Sequence, residues 1–279
     1  MAETTWDKLT NDFNTGTWGH TFCQIPLMEA KFKKFAEERG DAPWKVLDVG
    51  CGMGKHTLRV LKAGADYVLA FDVSKSMVDG TKMAVDEFLH SEARQGSAKV
   101  DCVVASATNC SSIPGAQEGT FDLALCVYVM CNLQSKEEVK QTFVEVFKML
   151  KPGGKLFVYE THPIKYMSWD DKPDIPLLTS IGWADPKEDG TRWGYFEDEG
   201  KPREFTMMMN SGREIKFPTR NYSLSSWVSW IVGAGFHITE LKEPYVNPKD
   251  VPADAPEWTK YGAGKPMGIC WECTKPLSH

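Results

Sequence analysis

The chain has no apolar run long enough to cross a membrane as a helix, and its opening residues Met1, Ala2, Glu3, Thr4 and Thr5 lack the basic and apolar regions of a signal peptide. A cytoplasmic protein without a membrane partner is expected. Excess positive charge is also missing: 32 Lys and Arg stand against 38 Asp and Glu, a formal net charge of −6. Proteins that track a phosphate backbone usually carry a basic patch or a strongly basic domain, so nucleic acid is not expected as a partner. The eight cysteines form no spaced framework, and most sit inside apolar, strand-like runs that suit reduced, buried thiols. Cys270 and Cys273 make a lone CxxC with no second pair, so no metal site is expected. Internal repeats and low-complexity tracts are absent as well. What remains is 279 residues, 42% of them hydrophobic, enough for one large α/β domain with an embellishment.

Glycine is concentrated where it is most informative. The stretch Val46, Leu47, Asp48, Val49, Gly50, Cys51, Gly52, Met53, Gly54 runs an apolar strand into a glycine turn and then into a helical pattern over 55–62. Glycines there let the backbone turn tightly and bring its N–H groups against a ligand, at the carboxyl end of a parallel strand. A dinucleotide fingerprint reads G-x-G-x-x-G, whereas Lys55 falls where its third glycine would stand. This weakens a pyrophosphate ligand, and with it a nicotinamide-dependent oxidoreductase. Roughly twenty residues past the turn, a second apolar strand ends in Asp72, the placement of a carboxylate that accepts from ribose hydroxyls. The expected ligand contains a ribose.

Four blocks follow one another: DVGCGMG at 48–54, FDVSKSM at 71–77, FDLALC at 121–126 and LKPGGKL at 150–156. Together they resemble the successive motifs of class I S-adenosylmethionine-dependent methyltransferases, strongly over about residues 43–160 and moderately over 220–244, in the small-molecule branch. The resemblance implies S-adenosylmethionine as cofactor and S-adenosylhomocysteine as product. It implies a Rossmann-like α/β fold with a doubly wound, mostly parallel seven-stranded sheet, an antiparallel last strand, and a cap inserted after the fifth strand. It places Asp48, Gly50, Cys51, Gly52 and Gly54 around the methionine end, Asp72 on the ribose, and Val73 and Met77 at the adenine, with Cys126 also in the cofactor set. Family members commonly carry an acidic residue after the third strand for the adenine amino group. Here Ser106 stands there, a neutral and weaker acceptor, with the Ala107 backbone beside it. The N-P-P-Y type sequence of nucleobase and glutamine-amide methylation is absent from 126–132, which argues against those acceptors.

The remaining pattern divides the chain into a lid and docking helix (1–43), a cofactor-binding half (44–160), a substrate cap (161–222) and a closing helix with edge strands (223–279). Strands are predicted near 45–49, 67–71, 99–105, 121–127 and 154–160, and helices near 55–63, 75–90 and 136–150, the βαβ rhythm of a sheet covered on both faces. The Pro- and Trp-rich segment after Glu160 is too long for an ordinary connection. It leads into a predicted hairpin over 204–209 and 213–218, turned by Asn210, Ser211 and Gly212. A helix over 223–234 stopped by Gly235, a strand over 236–241 and a last strand over 268–274 complete the chain.

Methyl transfer from a sulfonium is an in-line displacement by an already activated electrophile, so it needs alignment and water exclusion more than a unique catalytic group. Catalytic candidates are Tyr128, at the carboxyl edge facing the transferred methyl, and His162, a titratable group at a strand end; each also has an ordinary structural explanation. Candidate acceptor contacts are Trp18, Glu160, Trp183, Trp193, Tyr195, Arg220 and Tyr222. Trp169, Trp183, Trp193 and Tyr195, with Arg192 interleaved, suggest an aromatic cage for a cation, against the plainer alternative of a small satellite core. Arg220 is placed to clamp a carboxylate. The function expected is methyl transfer to N, S or O of a small polar metabolite, with an amine, amino-acid-like or thioether acceptor favoured, by a monomer or homodimer. The alternatives are a protein or RNA acceptor, or a non-catalytic S-adenosylmethionine-binding protein.

Overall fold

The computed structural model describes residues 5–13, 20–90, 98–166, 181–184, 187, 191, 193–209, 214–255, 260 and 263–277. Helix α1 (Thr5–Phe13) and a short π-helical turn (His20–Gln24) precede α2 (Ile25–Arg39). Then β1 (Lys45–Val49), α3 (Lys55–Lys62), β2 (Tyr67–Asp72), α4 (Lys75–His90), β3 (Lys99–Val104), β4 (Phe121–Val127), α5 (Lys136–Met149) and β5 (Leu150–Thr161) alternate as expected. Strands β6 (Ile181–Ala184), β7 (Arg203–Met208) and β8 (Glu214–Thr219) follow, then α6 (Leu224–Gly233), β9 (His237–Lys242) and β10 (Gly268–Thr274).

The main sheet runs β3-β2-β1-β4-β5-β10-β9, parallel through its first five strands, with β10 antiparallel to both β5 and β9. The period-2 alternation of each strand splits the core in two. Leu47, Val49, Leu69, Phe71, Leu156, Val158 and Trp271 pack with α5 and α6, while Val46, Val68, Ala70, Phe157, Tyr159 and Cys270 pack with α2, α3 and α4. This covered-on-both-faces arrangement is the α/β doubly wound class.

Local chemistry sets the helix starts. Ser135 accepts from the Glu138 N–H at 3.2 Å to begin α5, and Ser223 accepts from Ser226 N–H at 3.2 Å to begin α6. At α4 the cap comes partly from another element: Asp7 of α1 accepts from the Ser76 N–H at 3.0 Å and from the Ser74 and Ser76 hydroxyls. Strands β6, β7 and β8 form a separate antiparallel sheet. Its hairpin strands begin and end within a residue of the expected bounds, the turn at 210–213 lying outside the described residues, whereas β6 was not anticipated. Phe205, Met209, Ile215 and Phe217 cluster there with Trp6 and Leu9 of α1. Thus α1 touches both the start of α4 and the small sheet. No helix among the described residues is long and apolar enough to cross a membrane.

Candidate active site

The carboxyl ends of β1, β2, β3, β4 and β5 open into one cavity of about 840 Å³. Its floor is the glycine turn. Gly50, Gly52 and Gly54 have φ of +66°, +53° and +76°, the left-handed region that side chains other than glycine's enter at a cost. A Cβ on Gly50 would stand 2.7 Å from Val129 Cγ2, so this glycine also permits the turn to lie against the segment after β4. The turn is tied to its neighbours: Cys51 N–H donates to the Phe71 carbonyl at 2.9 Å, and Gly52 N–H donates to Asp72 Oδ2 at 3.1 Å.

Of the residues expected around a cofactor, Asp48, Gly50, Cys51, Gly52, Asp72, Val73, Met77, Ser106 and Ala107 line the cavity. Burial raises the Asp48 acid to about 6, against the Thr57 hydroxyl that donates to it at 2.6 Å. Burial also raises Asp72, whose Oδ1 accepts from Ser74 N–H at 2.9 Å. The Ser106 hydroxyl lies 2.8 Å from Thr108 Oγ1. Two expected residues are elsewhere. Gly54 caps α3, and Cys126 points into the α5 side of the core, fully buried.

Tyr128 lines the cavity with an unusual backbone: its φ of +55° makes it the one non-glycine residue in the left-handed region among those described. It is held there by its N–H donating to the Tyr159 carbonyl at 2.8 Å and by Asn132 Nδ2 donating to its carbonyl at 2.7 Å. Such strain persists where the surroundings over-determine it, often at functional sites. The Tyr159 and His20 rings approach the Tyr128 ring at 5.4 and 5.3 Å.

The other expected contacts are differently placed. His162 is fully buried and outside the cavity wall, its Nε2 2.6 Å from Glu243 and its Nδ1 accepting from Ile164 N–H at 3.2 Å; burial lowers its basicity against the pull of Glu243. Arg220 donates from Nη1 to the Leu133 carbonyl at 2.9 Å, pinning the segment after β4 rather than facing the cavity. Trp193 stacks under the Arg203 guanidinium, 4.6 Å from the ring centre, and the Tyr195 hydroxyl accepts from Leu224 N–H at 2.8 Å. Tyr222 is buried against Trp227 and Trp230. Those aromatics satisfy local partners and build no cage on the cavity. Trp18, Trp169 and Arg192 lie outside the described residues, and Trp183 is described only as a position in β6. Glu160, also off the wall, accepts from Met130 N–H at 2.8 Å, and burial raises its acid to about 7.

The cavity wall also holds residues that sequence reasoning missed, His20, Gln24, His56, Thr161, Phe217 and Met267. His20 and Gln24 come from the π-helical turn, a distortion that is rare and frequent at functional sites. Burial holds His56 neutral, its basicity pushed down to about 3. His56 had one available signal: it is the second residue of the helix that leaves the glycine turn.

Residues 46–154 match a family model described as a methyltransferase domain. The chain is 23% identical over 274 residues to a Geobacillus sp. protein named as a methyltransferase, covering 93% of this chain and 96% of that one. It is 24% identical over 218 residues to the botryococcene C-methyltransferase of Botryococcus braunii, covering 75% of this chain but only 54% of that enzyme. A solved structure from Listeria monocytogenes, described as an S-adenosylmethionine-dependent methyltransferase, shares the fold with a TM-score of 0.55 at 19% identity, covering 89% of this chain and 98% of that one. The family match begins on the strand that carries Asp48 and ends inside β5, so the methyltransferase-domain likeness and the cavity floor fall on the same residues, and together with the fold this supports a class I S-adenosylmethionine-dependent methyltransferase.

Proposed function

We propose that this enzyme methylates N, S or O of a small polar metabolite inside the cavity, with the small sheet β6–β8 as substrate cap and α1 as lid. The observation that carries the reading is the cavity itself. At about 840 Å³ it falls in the range of small-molecule sites, and Thr5 and Trp6 of α1, His20 and Gln24, and Phe205 and Phe217 of the small sheet wall its outer side. A macromolecular acceptor would need an open channel there.

The residues fit the cofactor. The left-handed glycines give a floor without side chains, Gly52 has open space where a Cβ would stand, and Asp72 offers a carboxylate at the ribose position. We assign Asp48, Gly50, Cys51 and Gly52 to its methionine end, Asp72 to the ribose, and Val73, Met77, Ser106 and Ala107 to the adenine. When bound, S-adenosylmethionine supplies an electrophilic methyl on a sulfonium. Tyr128 then orients the acceptor, and α1 with the small sheet excludes water. The botryococcene enzyme's name marks a carbon acceptor. Here His20, Gln24, His56 and Thr161 put hydrogen-bonding groups at the acceptor end, which favours a polar one.

Calorimetric titration with S-adenosylhomocysteine tests the cofactor assignment, and Asp72→Ala is expected to weaken binding roughly tenfold to hundredfold, the range of a charge-assisted hydrogen bond. Unchanged affinity in that variant overturns the assignment. A methyl-transfer screen over small amines, amino acids, thioethers and phenols, scored by product mass, tests the acceptor class; turnover only on a protein or RNA substrate overturns it.

A further inference from the structure

We infer that the Glu160 carboxylate is a fixed counter-charge behind the cavity wall, selecting the cationic cofactor over its neutral product. This rests on the cofactor occupying the cavity as proposed above. Glu160 lies one residue before the end of β5, on the strand face opposite Tyr159 and Thr161, which line the cavity. It is 1% exposed. Its Oε1 accepts from the Met130 N–H at 2.8 Å, and although its Oε2 makes no bond of good geometry, the Cys131 thiol and the Val129 and Cys131 backbone lie near enough to favour the charged form. The chain neighbours of Met130, Val129 and Cys131, both line the cavity, so the carboxylate stands one layer of protein behind the wall.

No lysine, arginine or histidine among the described residues forms an ion pair with it. The titratable groups whose electrostatics couple to it are Cys126 of β4, Tyr128 and Cys131 after β4, and Tyr222 before α6. All four are thiols or phenols held neutral by burial. Arg220, which faces Tyr222, spends its Nη1 on the Leu133 carbonyl. A glutamine would satisfy the Met130 N–H without burying a charge, yet a carboxylate stands there among neutral groups only, and burying a charge without a counter-ion is costly.

Burial raises the Glu160 acid to about 7, so it ionises across the neutral range. A cation in the cavity favours the ionised form and is favoured by it. S-adenosylmethionine and S-adenosylhomocysteine differ by one methyl and one positive charge. Once the methyl passes to the acceptor's lone pair and the S–CH₃ bond breaks with both its electrons remaining on sulfur, the sulfur would be a neutral thioether, and the attraction would be lost. Glu160 thereby holds the substrate form and lets the product form go.

Titrate the full chain with S-adenosylmethionine and with S-adenosylhomocysteine at pH 6 and pH 8, using wild type and Glu160→Gln. In wild type the ratio of the two affinities should shift toward S-adenosylmethionine by on the order of tenfold as pH rises, the effect of one charge across a short low-dielectric gap. In Glu160→Gln that shift should shrink to whatever Asp48 and Asp72 contribute, while S-adenosylhomocysteine affinity stays within about twofold. Asp48 and Asp72 also line the cavity and are raised by burial, but they are present in both proteins and cancel in the comparison. Proton release gives a second readout, compared between wild type and Glu160→Gln so that Asp48 and Asp72 again cancel, with Glu160→Asp as the variant if Glu160→Gln fails to fold. Near pH 7.5, titrations in buffers of different ionisation enthalpy should show more proton release from wild type than from the variant on binding S-adenosylmethionine and no such difference on binding S-adenosylhomocysteine. The same pH shift in Glu160→Gln, or equal proton release from both proteins on binding S-adenosylmethionine, overturns the inference. Failure of wild type to bind S-adenosylhomocysteine overturns the cavity assignment instead.

Discussion

Gly50 and Gly52 share a left-handed backbone, but a methyl group added to each meets different surroundings. On Gly50 it would press on Val129 at 2.7 Å, whereas on Gly52 nothing stands within 4 Å. Both substitutions carry backbone strain of about 1 kcal/mol. Gly50→Ala is therefore expected to lose a further 1–3 kcal/mol, roughly, as Val129 and the segment after β4 are displaced. Gly52→Ala is expected to stay near the strain value while S-adenosylhomocysteine affinity falls at least about tenfold, because its methyl enters the space assigned to the cofactor. Urea denaturation and calorimetry on the two variants separate these outcomes. This part of the site was legible because glycine spacing encodes backbone shape directly. The aromatic cage was not, since composition supplies Trp193 and Tyr195 without saying that Arg203 and the Leu224 N–H engage them. His20 was missed for the converse reason: nothing in its local pattern marks a side chain that folding turns toward Tyr128.

Among elements, α1 shows how little local sequence says about docking. Asp7 reads as a first-turn acid of a short helix, yet its Oδ1 accepts from Ser74, from the Ser76 N–H and from the Ser76 hydroxyl, capping α4 across 67–69 residues of chain. Trp6 reaches the other way, its ring 5.3 Å from Phe217 of the small sheet. Asp7→Ala removes the cap and the anchor together. It is expected to lose about 1 kcal/mol of stability, the usual worth of a helix cap, and to speed S-adenosylhomocysteine release several-fold in stopped-flow measurements. An unchanged release rate would show that α1 is no lid. The βαβ elements, by contrast, were readable within a residue or two, because buried strands and amphipathic helices impose their own periods, except that β5 begins at Leu150, four residues before the expected start, across the Pro152, Gly153 and Gly154 stretch that carries no strand period. Strand β6 had no such period to read, being four residues paired only through β7.

For the molecule as a whole, one charge network ties the helix that follows the cavity's π-helical turn to the far edge of the sheet. Lys31 of α2, 5% exposed, donates to Glu240 of β9 at 2.5 Å and to Glu272 of β10 at 2.9 Å, and Lys155 of β5 pairs with Glu272 at 3.0 Å. Glu272→Ala leaves Lys31 on Glu240 and Lys155 on Glu38 but removes their shared buried acceptor, so it is expected to lose about 2 kcal/mol in chemical denaturation. Because Lys31, Glu240 and Glu272 are scattered over more than 200 residues, no motif announced them. The sequence by itself determined the sheet, its glycine-turn edge and the likeness to methyltransferase motifs, because strand periodicity and glycine conformation are properties of neighbouring residues. Only the tertiary structure decided which side chains face the cavity and which satisfy one another. Facing is set by packing and by buried hydrogen-bond partners brought together from distant segments, as with the Arg220 guanidinium on Leu133 and the Glu160 carboxylate on the Met130 N–H.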